Sequence, residues 1–334
     1  MSEFSPRSTD RQDIARSRRF SIAPMIDFTD RHYRYMARLA TQRAILFTEM
    51  ITTGAILNGN QGFLLGHSTK EHPVVLQLGG SSPTELARCT AIGDQFGYDE
   101  INLNVGCPSD KVQHHKIGAC LMAEPSLVRE CLEAMAQQTS KPVTIKHRIG
   151  LDDDDSYDTL ARFVEQVAGA HCQVFYVHAR NAILQGLSPK QNRDIPPLQY
   201  DKVYRLKQDF PDLQIIINGG IDSVTACQTH LQHVDGVMLG RAAYHNSALL
   251  LDVDERIYGS DSSTCRQSVV TGYLSYMQEQ HAQGTAWHHM SKHLMGLFHG
   301  LSGARNMRRH LSENIHTPNA SLGVIEDALS LVDY

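Results

Sequence analysis

Between Phe20 and about residue 255 the chain repeats one unit eight times: a short apolar or alternating run, then a stretch of helical periodicity. The runs are Ser21–Met25, Ile45–Met50, Val74–Leu78, Glu100–Val105, Val143–Lys146, Val174–His178, Ile215–Asn218 and Gly236–Leu239. The clearest helical stretches open on proline. Pro83 precedes Leu86 and Cys89–Ile92, and Pro125 precedes Leu127, Val128, Leu132 and Met135. Proline suits a first helical position because the N–H it lacks has no partner there anyway. Val224–Leu231 and Leu249–Val253 supply the last ones. Eight such units predict an α/β fold of the (β/α)8 TIM-barrel type. An open doubly wound sheet is the competitor. It would carry a glycine fingerprint near its first strand, and Ala23-Pro24-Met25 is nothing like one.

A barrel gathers the C-terminal ends of its strands onto one face, where its active site lies. Here those ends carry Met25 and Asp27, Glu49, Gln77, Asn104 and Cys107, Lys146, His178, Asn218, then Gly240 and Arg241. Any one of them reads as a solvated loop residue; all eight ends together do not. The seventh and eighth ends, Asn218-Gly219-Gly220 and Gly240-Arg241, let backbone N–H groups approach a phosphate, with Arg241 adding charge. Tight turns alone would explain the glycines. The phosphate reading calls for a phosphorylated substrate or cofactor such as flavin mononucleotide, FMN.

The fourth end is the most unusual. Ile101, Leu103 and Val105 alternate with Asn102 and Asn104, and Gly106 and Pro108 flank Cys107 just beyond. A thiol is thereby placed at a strand tip. A free thiol titrates at about 8.5, so near neutral pH it mostly keeps its proton and can give it up as an acid or be activated as a nucleophile.

After about residue 255 strand-like runs cease. Gly259-Ser260-Asp261-Ser262-Ser263 reads as a linker, and residues 266–334 as a small all-helical domain. That domain, taken as 256–334, follows a catalytic barrel of 20–255. It holds Arg305, Arg308 and Arg309, the first two sharing a helix face. Lys190 and Arg193 in Ser188-Pro189-Lys190-Gln191-Asn192-Arg193 form a second basic patch, on the active-site face. The net charge is -5, so a polyanion would be met locally, at such patches. Residues 1–19 carry five Arg and three acidic residues and read as a disordered cytosolic tail; the acidic residues count against a transit peptide. Seven scattered cysteines without a Cys-x-x-Cys spacing predict reduced thiols, six of them core residues. Asp152–Asp155 lacks the spacing of a calcium loop, and His114-His115 and His288, His289 and His293 read as surface or packing histidines. The expectations are therefore no metal, no membrane span, a cytoplasmic location and a monomer.

Taken together, Ala23-Pro24-Met25, Gln77-Leu78-Gly79-Gly80, Asn102-Leu103-Asn104-Val105-Gly106-Cys107-Pro108-Ser109, Lys146-His147-Arg148-Ile149-Gly150, Val177-His178-Ala179-Arg180, Asn218-Gly219-Gly220 and Met238-Leu239-Gly240-Arg241 occur in this order. The chain resembles the tRNA-dihydrouridine synthases. It is most similar to their A-type bacterial branch through Asp27-Phe28-Thr29-Asp30-Arg31-His32, Thr48-Glu49-Met50, Leu187-Ser188-Pro189-Lys190 and Gly303-Ala304-Arg305. The resemblance implies reduction of the C5=C6 bond of D-loop uridines in tRNA, at and beside position 20, with FMN bound and NADPH as reductant. It implies that Pro24, Met25 and Ile26 line the flavin. Gln77, Lys146 and His178 would bind its ring system or ribityl phosphate, and Asn218, Gly219, Gly220, Gly240 and Arg241 its phosphate. Cys107 would be the catalytic acid. Asn104, Lys190, Arg193, Arg305 and Arg308 match positions that contact tRNA.

The chemistry agrees with the residues. The uracil C5=C6 bond is conjugated to the C4 carbonyl, so hydride from flavin N5 adds at C6. A proton must then reach C5 from the opposite face, a task for a positioned thiol. A base within folded RNA must be flipped out to be reached. Three rival readings remain: a flavoenzyme of free pyrimidines of the dihydroorotate dehydrogenase kind, a non-catalytic RNA-binding barrel, and a flavin-free phosphosugar enzyme.

Overall fold

The computed structural model describes residues 11–109, 116–261, 264–318 and 320–334. Eight parallel strands close into a barrel in sequence order, the last pairing with the first. They are β1 (Phe20–Ile22), β2 (Ile45–Thr52), β3 (Val74–Gly79), β4 (Glu100–Val105), β5 (Val143–Arg148), β6 (Val174–His178), β7 (Gln214–Asn218) and β8 (Gly236–Leu239). The TIM-barrel expectation holds, strand for strand. Helices cross back between most strands. Pro83–Gln95 starts on its proline behind a Ser82 cap, whose side chain accepts the Glu85 N–H. Pro125–Ala136 also starts on a proline, but without a side-chain cap. The stretch at Leu249 is tighter than expected: a 3₁₀ turn, Ser247–Asp252, runs into a helix, Val253–Tyr258.

Strand alternation sorts residues between two cores. On β4, Ile101, Leu103 and Val105 face the surrounding helices and are fully buried. Each such side chain contributes about 1.5–3 kcal/mol. The other face points into the barrel. Ala23, Ile45, Phe47, Val75, Val174, Tyr176, Ile216 and Met238 fill that interior, which is a packed core and no pore. Polar residues share it. Gln77, Asn102, Thr144 and Glu100 are completely buried, and each donates a hydrogen bond to the next.

The tail departs from expectation. Residues Arg11–Ser17 form a helix under the barrel, with Ile14 buried in the interior cluster. Arg18 follows, 3% exposed, and two of its nitrogens donate to Glu100 Oε2 at 2.9 and 2.7 Å. Tyr176 and Thr144 donate to the other carboxylate oxygen. A buried carboxylate demands such partners, and the tail brings one. Disorder through residue 19 is therefore corrected for 11–19.

Beyond Gly259, whose left-handed φ of 65° closes the preceding helix, come Arg266–Ala282, Trp287–Ser291, Ala304–Asn314 and Leu322–Leu329, with a 3₁₀ segment at Lys292–Phe298. Arg266–Ala282, Trp287–Ser291 and the 3₁₀ segment pack on helix Arg31–Ala40, and Ala304–Asn314 packs on the 3₁₀ segment and on Leu322–Leu329. Tyr276 stacks on Tyr35 with ring centroids 3.9 Å apart, and Gly272 leaves room for Leu39. One apolar cluster runs unbroken from barrel helices into this part. Ser262 and Ser263 of the expected linker lie outside the described residues.

Candidate active site

At the C-terminal end of the barrel a cavity of about 580 Å³ opens, within the size range of ligand sites. Pro24, Met25, Ile26, Gln77, Asn104, Cys107, Lys146, His178, Arg193, Asn218, Gly219, Gly220, Gly240 and Arg241 all line it. The register explains the convergence. Asn104 pairs with Lys146, Arg148 with His178, and His178 with Asn218, so the inward side chains of neighbouring strands arrive at similar heights.

Cys107 is half-buried on the loop leaving β4. Asn104 Oδ1 accepts the N–H of Gly106 at 3.1 Å and of Cys107 at 3.0 Å, and the Cys107 carbonyl accepts the Ala119 N–H at 2.9 Å. The thiol therefore hangs from a backbone fixed on both sides. Asn104 Nδ2 donates to Gln77 Oε1, and Gln77 Nε2 to Asn102 Oδ1, each at 2.8 Å. Both amides, expected to face ligands, thus also hold one another and the Cys107 loop. Asp110–His115, with the histidine pair weighed above, lie outside the described residues.

Lys146 Nζ donates to Asn218 Oδ1 at 3.0 Å, while Asn218 Nδ2 donates to Met238 O. Burial, then repulsion from Arg148, pushes the Lys146 ammonium down to about 7; the Cys107 sulfur opposes this. Burial and the cations Arg148 and Lys146 hold His178 well below its ordinary range, as a neutral ring. Its Nδ1 is buried without a hydrogen-bond partner among the described residues. Gly219 and Gly220 have φ of 115° and 68°. A Cβ on Gly220 would stand 2.5 Å from Leu198 and 2.9 Å from the Tyr200 hydroxyl. One on Gly219 would press on the His178 ring at 3.3 Å. Only glycine fits there.

Arg241 lines the same corner and pairs with Asp194 at 2.7 Å. Lys146, Arg148, Arg193 and Arg241 outnumber Asp222, the one carboxylate in the cavity wall among the described residues. An orphaned imidazole nitrogen, a buried ammonium, two bare glycines and surplus positive charge suit a planar, phosphorylated group. The site therefore fits a flavin mononucleotide. Gly219, Gly220 and Arg241 would hold its phosphate, while Lys146 and His178 would meet its ring system.

The remaining wall is held from outside. Asp27 has a left-handed φ of 68°. Glu49 Oε1 accepts its N–H at 2.5 Å, and Lys292 donates to its carbonyl at 3.1 Å. Lys292 and His293 also pair with Asp30, at 3.2 and 2.9 Å. Phe28 stacks on Tyr244 at 4.2 Å. The helical part thus reaches the loop that carries Met25 and Ile26.

Lys190 is exposed on the loop after β6, beside the cavity rather than in its wall. Arg305 and Arg308 are exposed on helix Ala304–Asn314. That helix starts at Gly303, φ 82°, where a Cβ would run into the Leu331 carbonyl. His293 is buried against Asp30 and Tyr244. No metal-binding group of three or more His, Cys, Asp or Glu occurs among the described residues. Burial raises the thiols of Cys89, to about 11, and of Cys131, Cys172 and Cys227, each to about 12, as inert core cysteines require. Cys120 is only half-buried, and Cys265, expected in the core, is exposed at the start of helix Arg266–Ala282. The sequence reading gave no role to Arg148, which lines the cavity; its inward register beside Lys146 was the available signal.

Comparison with known proteins agrees with this geometry. The family model described as Dihydrouridine synthase (Dus) matches residues 21–331. A tRNA-dihydrouridine(20/20a) synthase of Shewanella oneidensis is 54% identical over 316 residues, covering 94% of each chain. Its namesake in Pseudomonas putida is 52% identical over 317 residues, 95% of this chain and 94% of the relative. That of Escherichia coli is 52% identical over 325 residues, 97% and 94% respectively.

Proposed function

The chain belongs to the dihydrouridine synthase family, and from that premise we propose that it is a flavin-dependent oxidoreductase reducing uridines 20 and 20a of tRNA to 5,6-dihydrouridine. The observation that carries this reading is the cavity itself, where a thiol on a pinned loop shares the wall with Lys146, Arg148, Arg193 and Arg241. A bound FMN, reduced by NADPH, would supply the hydride that adds at uracil C6. Cys107 delivers the proton to C5 from the opposite face. Its rigid backbone is what makes the delivery efficient, since general acid catalysis rewards a donor already within hydrogen-bond reach. Lys146 favours the negative charge that builds on the flavin or toward uracil O4. Asn104 anchors the Cys107 loop and presents its amide edge to the base.

The helical part and the loop after β6 hold the RNA outside. Lys190, Arg193, Arg305 and Arg308 meet backbone phosphates, and the target base leaves its stack to enter the cavity. The enzyme works as a monomer in the cytoplasm in this reading; seven unbridged cysteines are in keeping with a reducing compartment. No helix among the described residues is long and apolar enough to cross a membrane.

Cys107→Ala tests the central role. The variant is expected to stay yellow and to oxidise NADPH, yet to lose most dihydrouridine formation on unmodified tRNA. Turnover at the wild-type rate would remove the thiol from the proton-donor role. Free uridine, offered in parallel, is expected to be a far poorer substrate.

A further inference from the structure

Arg148 closes β5 with its side chain turned into the barrel, while His147 turns outward against Phe163. The residue is 4% exposed. Its Nε donates to the carbonyl of Gly106 at 3.0 Å. Its Nη1 donates to the carbonyls of Asn181 at 2.8 Å and Asn192 at 2.9 Å. The first carbonyl belongs to the residue before Cys107. The other two belong to the loop after β6, which carries Lys190 and Arg193. One planar cation therefore bridges the loop of the proton donor and a loop read as an RNA contact.

The second loop is tied together by one side chain. The Asn192 side chain is buried; it accepts the Ile183 N–H at 2.8 Å and donates to the carbonyls of Ile183 and Leu187. A force on Lys190 or Arg193 is thereby carried to the Asn192 carbonyl, and from there to the guanidinium. Arginine is suited to this because its fork is rigid, so displacement at one edge appears at the other.

We propose that Arg148 is a positioning residue that couples the seating of RNA on the loop after β6 to the placement of the Cys107 thiol. The idea rests on the roles proposed above for Cys107, Lys190 and Arg193. Arg148→Lys keeps the charge but replaces the fork with a single compact ammonium. Misplacement of a reacting group by about 1 Å costs on the order of 100-fold in rate, so kcat on tRNA is expected to fall by about 10- to 100-fold with KM for tRNA little changed.

A second readout follows the thiol directly, as the iodoacetamide alkylation rate at Cys107, mapped by peptide mass, with exposed Cys265 as internal reference. In Arg148→Lys the Cys107 rate is expected to rise severalfold and the Cys265 rate to stay put. Asn192→Ala, whose side chain lies outside the cavity, is expected to raise the Cys107 rate as well. The double variant is expected to add nothing beyond Arg148→Lys alone, because the two changes cut one connection. Wild-type alkylation in Asn192→Ala, or additive effects in the double variant, would overturn the proposal. Should Arg148→Lys fail to fold, the Asn192→Ala comparison still decides it. Alkylation reads loop position and not turnover, so a failure of the Cys107 acid role, seen in Cys107→Ala, is separable from a failure of the coupling.

Discussion

Lys146 shows how a single side chain sets the pH response of the cavity. Burial and Arg148 lower its folded-state value to about 7, against about 10.4 in an unfolded chain. Between those values the unfolded chain binds more protons than the folded one. Stability of the ligand-free protein therefore rises with pH across that window, and the cost of the buried charge is fully felt below it. An anion in the cavity reverses the pressure and restores the proton. FMN binding at pH 8–9 is accordingly expected to take up a proton and to weaken as pH climbs. Calorimetry in two buffers of different ionisation enthalpy checks this, and Lys146→Met should abolish the uptake.

The same scale shows what could be read from residue types alone. Gly219 and Gly220 were legible because only glycine takes their φ values beside Leu198 and His178. Arg148 was not, because its three carbonyl partners come from segments up to 44 residues away in sequence. Asn104 was half legible. Its place at a strand end marked it for the site, but its bonds to the Gly106 and Cys107 N–H groups depend on a loop conformation that spacing does not reveal.

At the scale of elements, helix Ala304–Asn314 is where electrostatics and packing separate. Ala304, Met307 and Leu311 are buried, while Arg305, Arg308 and Arg309 point to solvent. Arg305→Ala or Arg308→Ala is thus expected to leave the fold intact and to weaken tRNA binding. Each lost phosphate contact should flatten the slope of log K against log salt by roughly 0.7–0.9. Binding titrations at several salt concentrations measure this, and an unchanged slope would remove the helix from the RNA interface. Strands were easy to find because period-two alternation and β-branched runs are local signals. The helix Arg11–Ser17 was hidden, because its reason to exist lies in Glu100, more than eighty residues on.

For the molecule as a whole, that pair is a fully buried ion pair at the floor of the barrel. Arg18→Ala would strand the Glu100 carboxylate in the interior. Breaking one side of such a pair costs about 3–5 kcal/mol, so the variant is expected to unfold at clearly lower denaturant concentration. Combining it with Glu100→Gln should recover part of the loss, as a double-mutant cycle by urea unfolding would show. The helical part is equally committed. Its Tyr276, Tyr273 and Leu294 belong to the same apolar cluster as Tyr33 and Met36 of the barrel, and the boundary read from composition at about residue 255 gave no sign of the depth of that junction.

The barrel interior is filled below its upper rim by Phe47, Tyr176 and Met238, and bolted underneath by Arg18. In the function proposed above, the dinucleotide reductant and the extruded base would therefore enter by the same doorway and take turns at it. On that reading the flavin held inside would keep the reducing power between the departure of one guest and the arrival of the next.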